Sequence, residues 1–266
     1  MLLGSVLLLC YPLLSNMMIE ESQNKVYAEY SENIANINEE ELNEALNKAY
    51  EYNEALFREE LSDEELERRY LELLKIEGND IMGYIEIPKL DINLPIYHGC
   101  DGKVLEKGCG HLFKSSLPVG GINSRAIITA HSGLSNQKMF TDIELLENGD
   151  LICLEVLGQK LAYEVYDKTV VLPYEAEKIK IVPNEDNISL VTCTPFGVNT
   201  HRLVITAKRI EITQNVVTQI AEVSESVQSS VWEKEYHTYI SLSLLSVVGL
   251  CTVIILPIRH LKKKHK

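Results

Sequence analysis

This 266-residue chain is short of basic charge: 25 Lys and Arg stand against 39 Asp and Glu, for a formal net charge of −14. Phosphate recognition needs a clustered basic face. None lies between the two ends of the sequence, so nucleic acid is excluded as a partner and the acidity reads as a well-solvated surface. Internal repeats and low-complexity tracts are also missing, which excludes a repeat array. With 45% hydrophobic and 24% charged residues, disorder is not the default. The length is ample for a real core in one large domain or two small ones.

One stretch has no charge at all. Residues 239–258, YISLSLLSVVGLCTVIILPI, would span about 30 Å as a helix, the thickness of a bilayer's hydrocarbon core. Arg259, Lys262, Lys263, Lys264 and Lys266 follow at once. The expectation is a transmembrane helix at 239–258 with a basic cytoplasmic tail at 259–266, and membrane lipid as a partner. Residues 1–19 are apolar too but lack the basic start of a signal peptide. They read as an N-terminal hydrophobic segment, either retained in the membrane or removed as a signal. This orientation puts the middle of the chain outside the cytoplasm, at the cell membrane.

Residues 20–77 are helical in pattern. Leu42, Ala45, Leu46, Ala49 and Tyr50 recur at helical spacing, as do Leu66, Tyr70, Leu73 and Leu74. Ser62 precedes Asp63-Glu64-Glu65 as a capping residue would. Gly78-Asn79-Asp80 ends the pattern, and residues 78–213 turn to short β-prone runs. Those runs are MGYIEIP, DINLPIY, SRAIITA, DLICLEV, LAYEVYDKTVVL, NISLVT and RLVITAKRI. Seven runs at such spacing predict a mainly β fold, a closed or nearly closed barrel rather than a βαβ sheet. Residues 214–238 are polar, lack Gly and Pro, and read as a stalk leading to the anchor.

Two strand ends carry candidate chemistry. In Ser189-Leu190-Val191-Thr192-Cys193-Thr194-Pro195-Phe196-Gly197 a strand delivers a cysteine to a Pro/Gly turn, and Arg202 opens the next strand. A thiol there is held rigidly yet reachable, and the guanidinium offers fixed donors for an oxyanion or a substrate carbonyl. In Ile127-Ile128-Thr129-Ala130-His131-Ser132-Gly133 a strand delivers a histidine in the same way. Thiolate and imidazolium stabilise each other when adjacent, and the imidazolium can protonate a departing amine. Taken singly, each residue reads equally well as part of a core or a surface.

Together they are more specific. SLVTCTPFGVNTHRL resembles the sortase signature, in which a T/S-L-x-T-C run is followed nine residues later by arginine, and ITAHSG resembles that family's histidine segment. The CTPFGVNTHR form, MGYIEIPKLDINLPIYHG and GHLFKSSLPVGG are similar to the pilin-type class C sortases in particular. The likeness extends over about residues 50–210. It implies a sortase-type β-barrel with N-terminal helices and terminal transmembrane helices. It also implies a cysteine transpeptidase that cleaves an LPxTG-like sorting signal between Thr and Gly and passes the acyl chain to an amine.

In the roles the resemblance implies, Cys193 is the nucleophile, His131 the general acid and base, and Arg202 the oxyanion and positioning group. Thr192 helps shape the substrate pocket, and His201, beside Arg202, is second to His131. The implied partners are LPxTG-like proteins and a pilin lysine; a peptidoglycan amine is the alternative acceptor, and a non-catalytic membrane-tethered assembly module the alternative function. No cofactor is implied. Class C sortases carry a lid with an Asp-Pro-aromatic triplet, whereas residues 55–76 contain no proline, so a shortened or missing lid is expected.

A competing constellation is His98-Gly99-Cys100 with Cys109-Gly110-His111. It has zinc-type ligands, although the histidines belong to segments the family has in any case. A disulfide between Cys100 and Cys109 is the other reading for an extracytoplasmic domain. No metal is assigned. Cys153 reads as a core residue of a strand, and Cys10 and Cys251 as lipid-buried.

Overall fold

The computed structural model describes residues 2–76, 80–132, 134, 137–176, 179–225 and 241. Three helices come first: α1 (Leu2–Asn36), α2 (Glu39–Phe57) and α3 (Asp63–Glu72). Asn38 caps α2 by accepting from Glu41 N at 2.8 Å, and Ser62 caps α3 by accepting from Glu65 N at 3.3 Å, each followed by three carboxylates in the first turn that suit the helix dipole. The start of α3 at Ser62 is as the sequence predicts.

Eight strands follow: β1 (Ile81–Ile87), β2 (Ile92–His98), β3 (Cys109–His111), β4 (Ser124–Thr129), β5 (Leu151–Val156), β6 (Gln159–Val171), β7 (Asp186–Thr194) and β8 (His201–Ile210). They close into a barrel in the order β1-β2-β3-β4-β7-β8-β6-β5. Pairing is antiparallel except between β2 and β3 and between β4 and β7. The seven predicted runs are all strands. The eighth, β3, has only three residues and shows no alternation to read. Short helices α4 (Gly102–Leu105), α5 (Pro173–Ala176) and α6 (Gln214–Glu225) decorate the barrel, and α6 occupies the first half of the segment read as a stalk.

Strand alternation sorts the faces. In β1, Ile81, Ile85 and Ile87 enter the barrel core, while Tyr84 on the other face meets the rings of Tyr27 and Tyr30 of α1 at 4.8 and 5.2 Å. Gly83 permits the closure: a Cβ there would lie 2.5 Å from Glu155 O of β5.

The helices are fastened to barrel backbone as well as packed on it. The Tyr30 hydroxyl accepts from Leu157 N at 3.0 Å. Asn53 of α2 clamps Leu117, donating to its carbonyl at 3.0 Å and accepting from its amide at 2.7 Å, so a buried amide is satisfied on both ends. Helices and barrel share one hydrophobic core. Burying a side chain the size of Tyr52, fully covered, contributes on the order of 2 kcal/mol.

Residue 19 marks no break, because α1 runs on from Leu2 to Asn36. Among the described residues no helix is long and apolar enough to cross a membrane. The expected span at 239–258 and the basic tail lie outside the described residues, save for Ser241.

Candidate active site

Three neighbouring strands, β4, β7 and β8, bring the predicted residues to one end of the barrel. β7 and β8 pair antiparallel with Cys193 directly opposite Arg202. β4 runs parallel to β7 with Thr129 beside Val191. Ala130 N donates to Val191 O at 3.3 Å, and the next residue of β4's path is His131, level with Cys193. All three side chains line one cleft of about 370 Å³. Each is partly exposed, so the sulfur is reachable.

The cleft lies on the outer face of the barrel. By alternation Ile127, Thr129, Val191, Cys193, Arg202 and Val204 share that face, while Ile128, Leu190 and Ile205 fill the interior. Ile127, Val191 and Val204 form a second, separate apolar cluster with Ala176 of α5. This gives the cleft an apolar floor leading to a polar head. The segment around Cys100, Leu105 and Leu112 forms a wall. No described residue of 20–76 lines the cleft.

Local contacts fix each group. The Arg202 Nη1 donates to Asn199 O at 3.3 Å and to His201 O at 3.0 Å. The β7–β8 turn that supplies those carbonyls closes with Val198 N and Asn199 N both donating to Pro195 O at 3.0 Å, and Gly197 takes a left-handed φ of 72°. His131 is held by its carbonyl, which accepts from the amide of fully buried Phe140 at 3.0 Å. His201 lies one residue from Arg202, on the opposite face, with its Nδ1 2.9 Å from Thr200 Oγ1. It does not line the cleft.

Thr192 belongs to the cleft wall, yet its hydroxyl is turned inward and donates to Ala130 O at 2.8 Å. It therefore ties the residue before His131 to the residue before Cys193. Thr192→Val, nearly the same shape, is expected to cost about 1 to 2 kcal/mol in denaturant unfolding. It should also displace the imidazole from its place level with Cys193. Thr192→Ser, which keeps a hydroxyl, should recover most of that stability.

The histidine and cysteine pairs at 98–111 make neither a metal site nor a bridge. His111 is fully buried; its Nε2–H donates to Ser116 O at 2.7 Å, and its Nδ1 lies 3.2 Å from the Tyr70 hydroxyl. His98 Nε2 contacts Leu73 O at 2.8 Å. Cys100 and Cys109 are both free. Cys109 points into the barrel core, whereas Cys100 lines the cleft on the other side of β3. The strand passes between the two thiols, which is why the disulfide reading fails. Gly110 makes room there, since a Cβ on it would lie 2.4 Å from Gly99 O. Burial pushes the thiols of Cys100 and Cys109 up, and that of Cys153 up to about 11, so all three stay protonated and weakly nucleophilic.

Burial also holds the His111 imidazole down at about 4, against an ordinary value near 6.5. As pH falls below 6.5 the unfolded chain takes up a proton that the folded chain refuses. The stability linked to His111 is therefore complete above pH 6.5 and is lost as pH falls to 4, about 3 kcal/mol in all. Urea midpoints of wild type and His111→Gln should converge between pH 7.5 and 4.5; a constant gap would contradict this.

A barrel whose outer face sets a thiol, an imidazole and a guanidinium at the head of an apolar cleft is a scaffold for cysteine-based acyl transfer. Comparison with known proteins gives that class a family. Residues 85–210 match the family described as "Sortase domain". The chain is 30% identical over 139 residues to Sortase D of Bacillus subtilis, covering 51% of this chain and 67% of that one. Sortase C1 of Streptococcus agalactiae superposes with a TM-score of 0.67 at 35% identity, over 71% of this chain and all of that structure (100%). Sortase C of Clostridium perfringens, solved with the C-terminal cell wall sorting motif, gives 0.62 at 37% identity, over 71% and 99% of the two chains. The chain belongs to the sortase family, and its structural neighbours are class C sortases.

Proposed function

We propose that this protein is a cysteine transpeptidase that cuts an LPxTG-like sorting signal between Thr and Gly and joins the freed acyl group to an amine, a lysine of the next pilin subunit. The observation that carries the reading is the register placing Cys193 opposite Arg202, with His131 level with both on the neighbouring strand. That the Clostridium perfringens neighbour was solved with the C-terminal cell wall sorting motif supports the substrate class. The apolar floor suits an extended peptide that opens with Leu-Pro.

Each step balances without a cofactor. As its proton passes to His131, the Cys193 sulfur attacks the threonine carbonyl carbon, and Arg202 donates to the oxyanion that forms. The C–N bond then breaks, His131 gives its proton to the leaving glycine amine, and a thioester remains on Cys193. The acceptor amine attacks the thioester and yields its proton to His131. The C–S bond breaks and an amide forms. Cys193, His131 and Arg202 are each partly exposed, which suits access by both substrates. In this reading residues 239–258 anchor the protein in the cell membrane, with the catalytic body outside the cytoplasm and the basic tail inside.

The test is incubation of the full-length protein with an LPxTG-type peptide and two competing acceptors, a pilin lysine peptide and a peptidoglycan stem amine. Mass spectrometry should find the lysine isopeptide. A stem-amine product would move the protein to cell-wall anchoring, and no product at all would leave only a non-catalytic assembly module.

A further inference from the structure

The cleft wall at Cys100 is held from behind by a helix that contributes nothing to the cleft surface. Tyr70 of α3 is only 3% exposed. Its hydroxyl accepts from Gly99 N at 2.8 Å and donates to His111 O at 2.9 Å. Its ring packs against His98, His111 and Phe113, with centroids 5.0, 5.6 and 5.2 Å away. The last pair of the β2–β3 ladder is His98 with His111, so Gly99 lies beyond it, at a left-handed φ of 78°. The Tyr70 hydroxyl stands in for the ladder partner that Gly99 lacks. Gly99 in turn sets Cys100, which lines the cleft together with Thr129.

The same node reaches the far side of the wall. His111 Nε2 lies 3.2 Å from Ser115 Oγ. That hydroxyl donates to Leu112 O at 2.7 Å and accepts from Ile127 N at 3.1 Å. Leu112 and Ile127 both line the cleft. One buried hydroxyl is thus connected to Cys100, Leu112 and Ile127. Buried polar networks of this kind hold one arrangement when every member is paired, and they relax when one is removed.

We propose that Tyr70 is a positioning residue for substrate binding: its hydroxyl fixes the stance of the Cys100–Leu112 wall, and so the helical region sets the width of a cleft it does not line. The kinetic form of this inference rests on the transpeptidase reading above. Removing the hydroxyl leaves Gly99 N unpaired, and the turn moves toward water to recover a partner. The wall then binds peptide less well, while the thiol, imidazole and guanidinium, carried on β4, β7 and β8, stay in register.

Tyr70→Phe keeps the ring contacts and removes only the hydroxyl. In the full-length protein it should raise KM for the sorting peptide about tenfold and leave kcat within about twofold. Leu66→Ala on the same helix, a buried apolar position with no side-chain polar group to bond the wall, is the control. It should lower Tm at least as much and leave KM within about twofold. An unchanged KM in Tyr70→Phe, or an equal rise in Leu66→Ala, overturns the proposal. A second readout needs no catalysis. In a Cys193→Ala background, maleimide labelling of Cys100, located by peptide mass, should speed up about fivefold with Tyr70→Phe and not with Leu66→Ala. An unchanged labelling rate overturns the positioning role even if wild type cleaves peptide. Wild type that cleaves nothing overturns the transpeptidase reading and leaves the labelling to decide this one.

Discussion

Cys193→Ala is expected to reduce cleavage of an LPxTG-type fluorogenic peptide to background, a loss of about 10⁴-fold or more, while Tm changes by no more than a few degrees. The asymmetry follows from the position. The side chain is partly exposed at the end of β7, outside both apolar clusters, so its removal opens no cavity in the core. No other described thiol can take over. Cys109 is sealed in the core, and Cys100 and Cys153 are pushed toward the protonated form by burial. Cys193→Ser should be nearly as inactive, because a hydroxyl with no strong base beside it attacks poorly. Equal cleavage by wild type and Cys193→Ala would end the enzyme reading.

Arg202→Ala should lower kcat by about 10²- to 10³-fold, with a smaller rise in KM. The guanidinium is pinned by the Asn199 and His201 carbonyls and faces the cysteine from the paired strand, so its remaining N–H groups are aimed before substrate arrives. Pre-aimed donors act on the oxyanion more than on the resting carbonyl, which is why kcat bears the loss. Arg202→Lys keeps the charge but not the planar fork, and it should recover no more than about tenfold. A variant with normal kcat and a raised KM would make Arg202 a substrate-binding group only. Steady-state kinetics on the same peptide reads the difference.

The barrel was legible because its seven longer strands are β-prone runs bounded by Gly, Pro and Asn, several of them alternating, and the start of α3 because Ser62 and its acidic turn announce it. The three candidate residues were picked out by motif order, although no local pattern says that Cys193 and Arg202 meet; that comes from the β7–β8 register. What the sequence hid is physical in each case. A three-residue β3 has no period. Alternation shows that Ile127 and Val191 share a face but not that α5 covers it, so the apolar floor could not be foreseen. The bland spacing of Cys100 and Cys109 suggested a bridge or a metal site, and only the strand between them separates one thiol into the cleft and the other into the core. Thr192 read as pocket lining and does line the cleft, but the tie its hydroxyl makes between two strands was not foreseen. Tyr70 read as one apolar position among four, and its hydroxyl carries the contacts that matter.

Peptide mapping of the protein quenched in acid, after mixing with a sorting peptide and no acceptor amine, tests the central claim most directly. The account predicts a hydroxylamine-sensitive acyl adduct on the peptide that contains Cys193, absent from His131→Ala on the same time scale. An adduct on Cys100 instead, or none while cleavage proceeds, would contradict it.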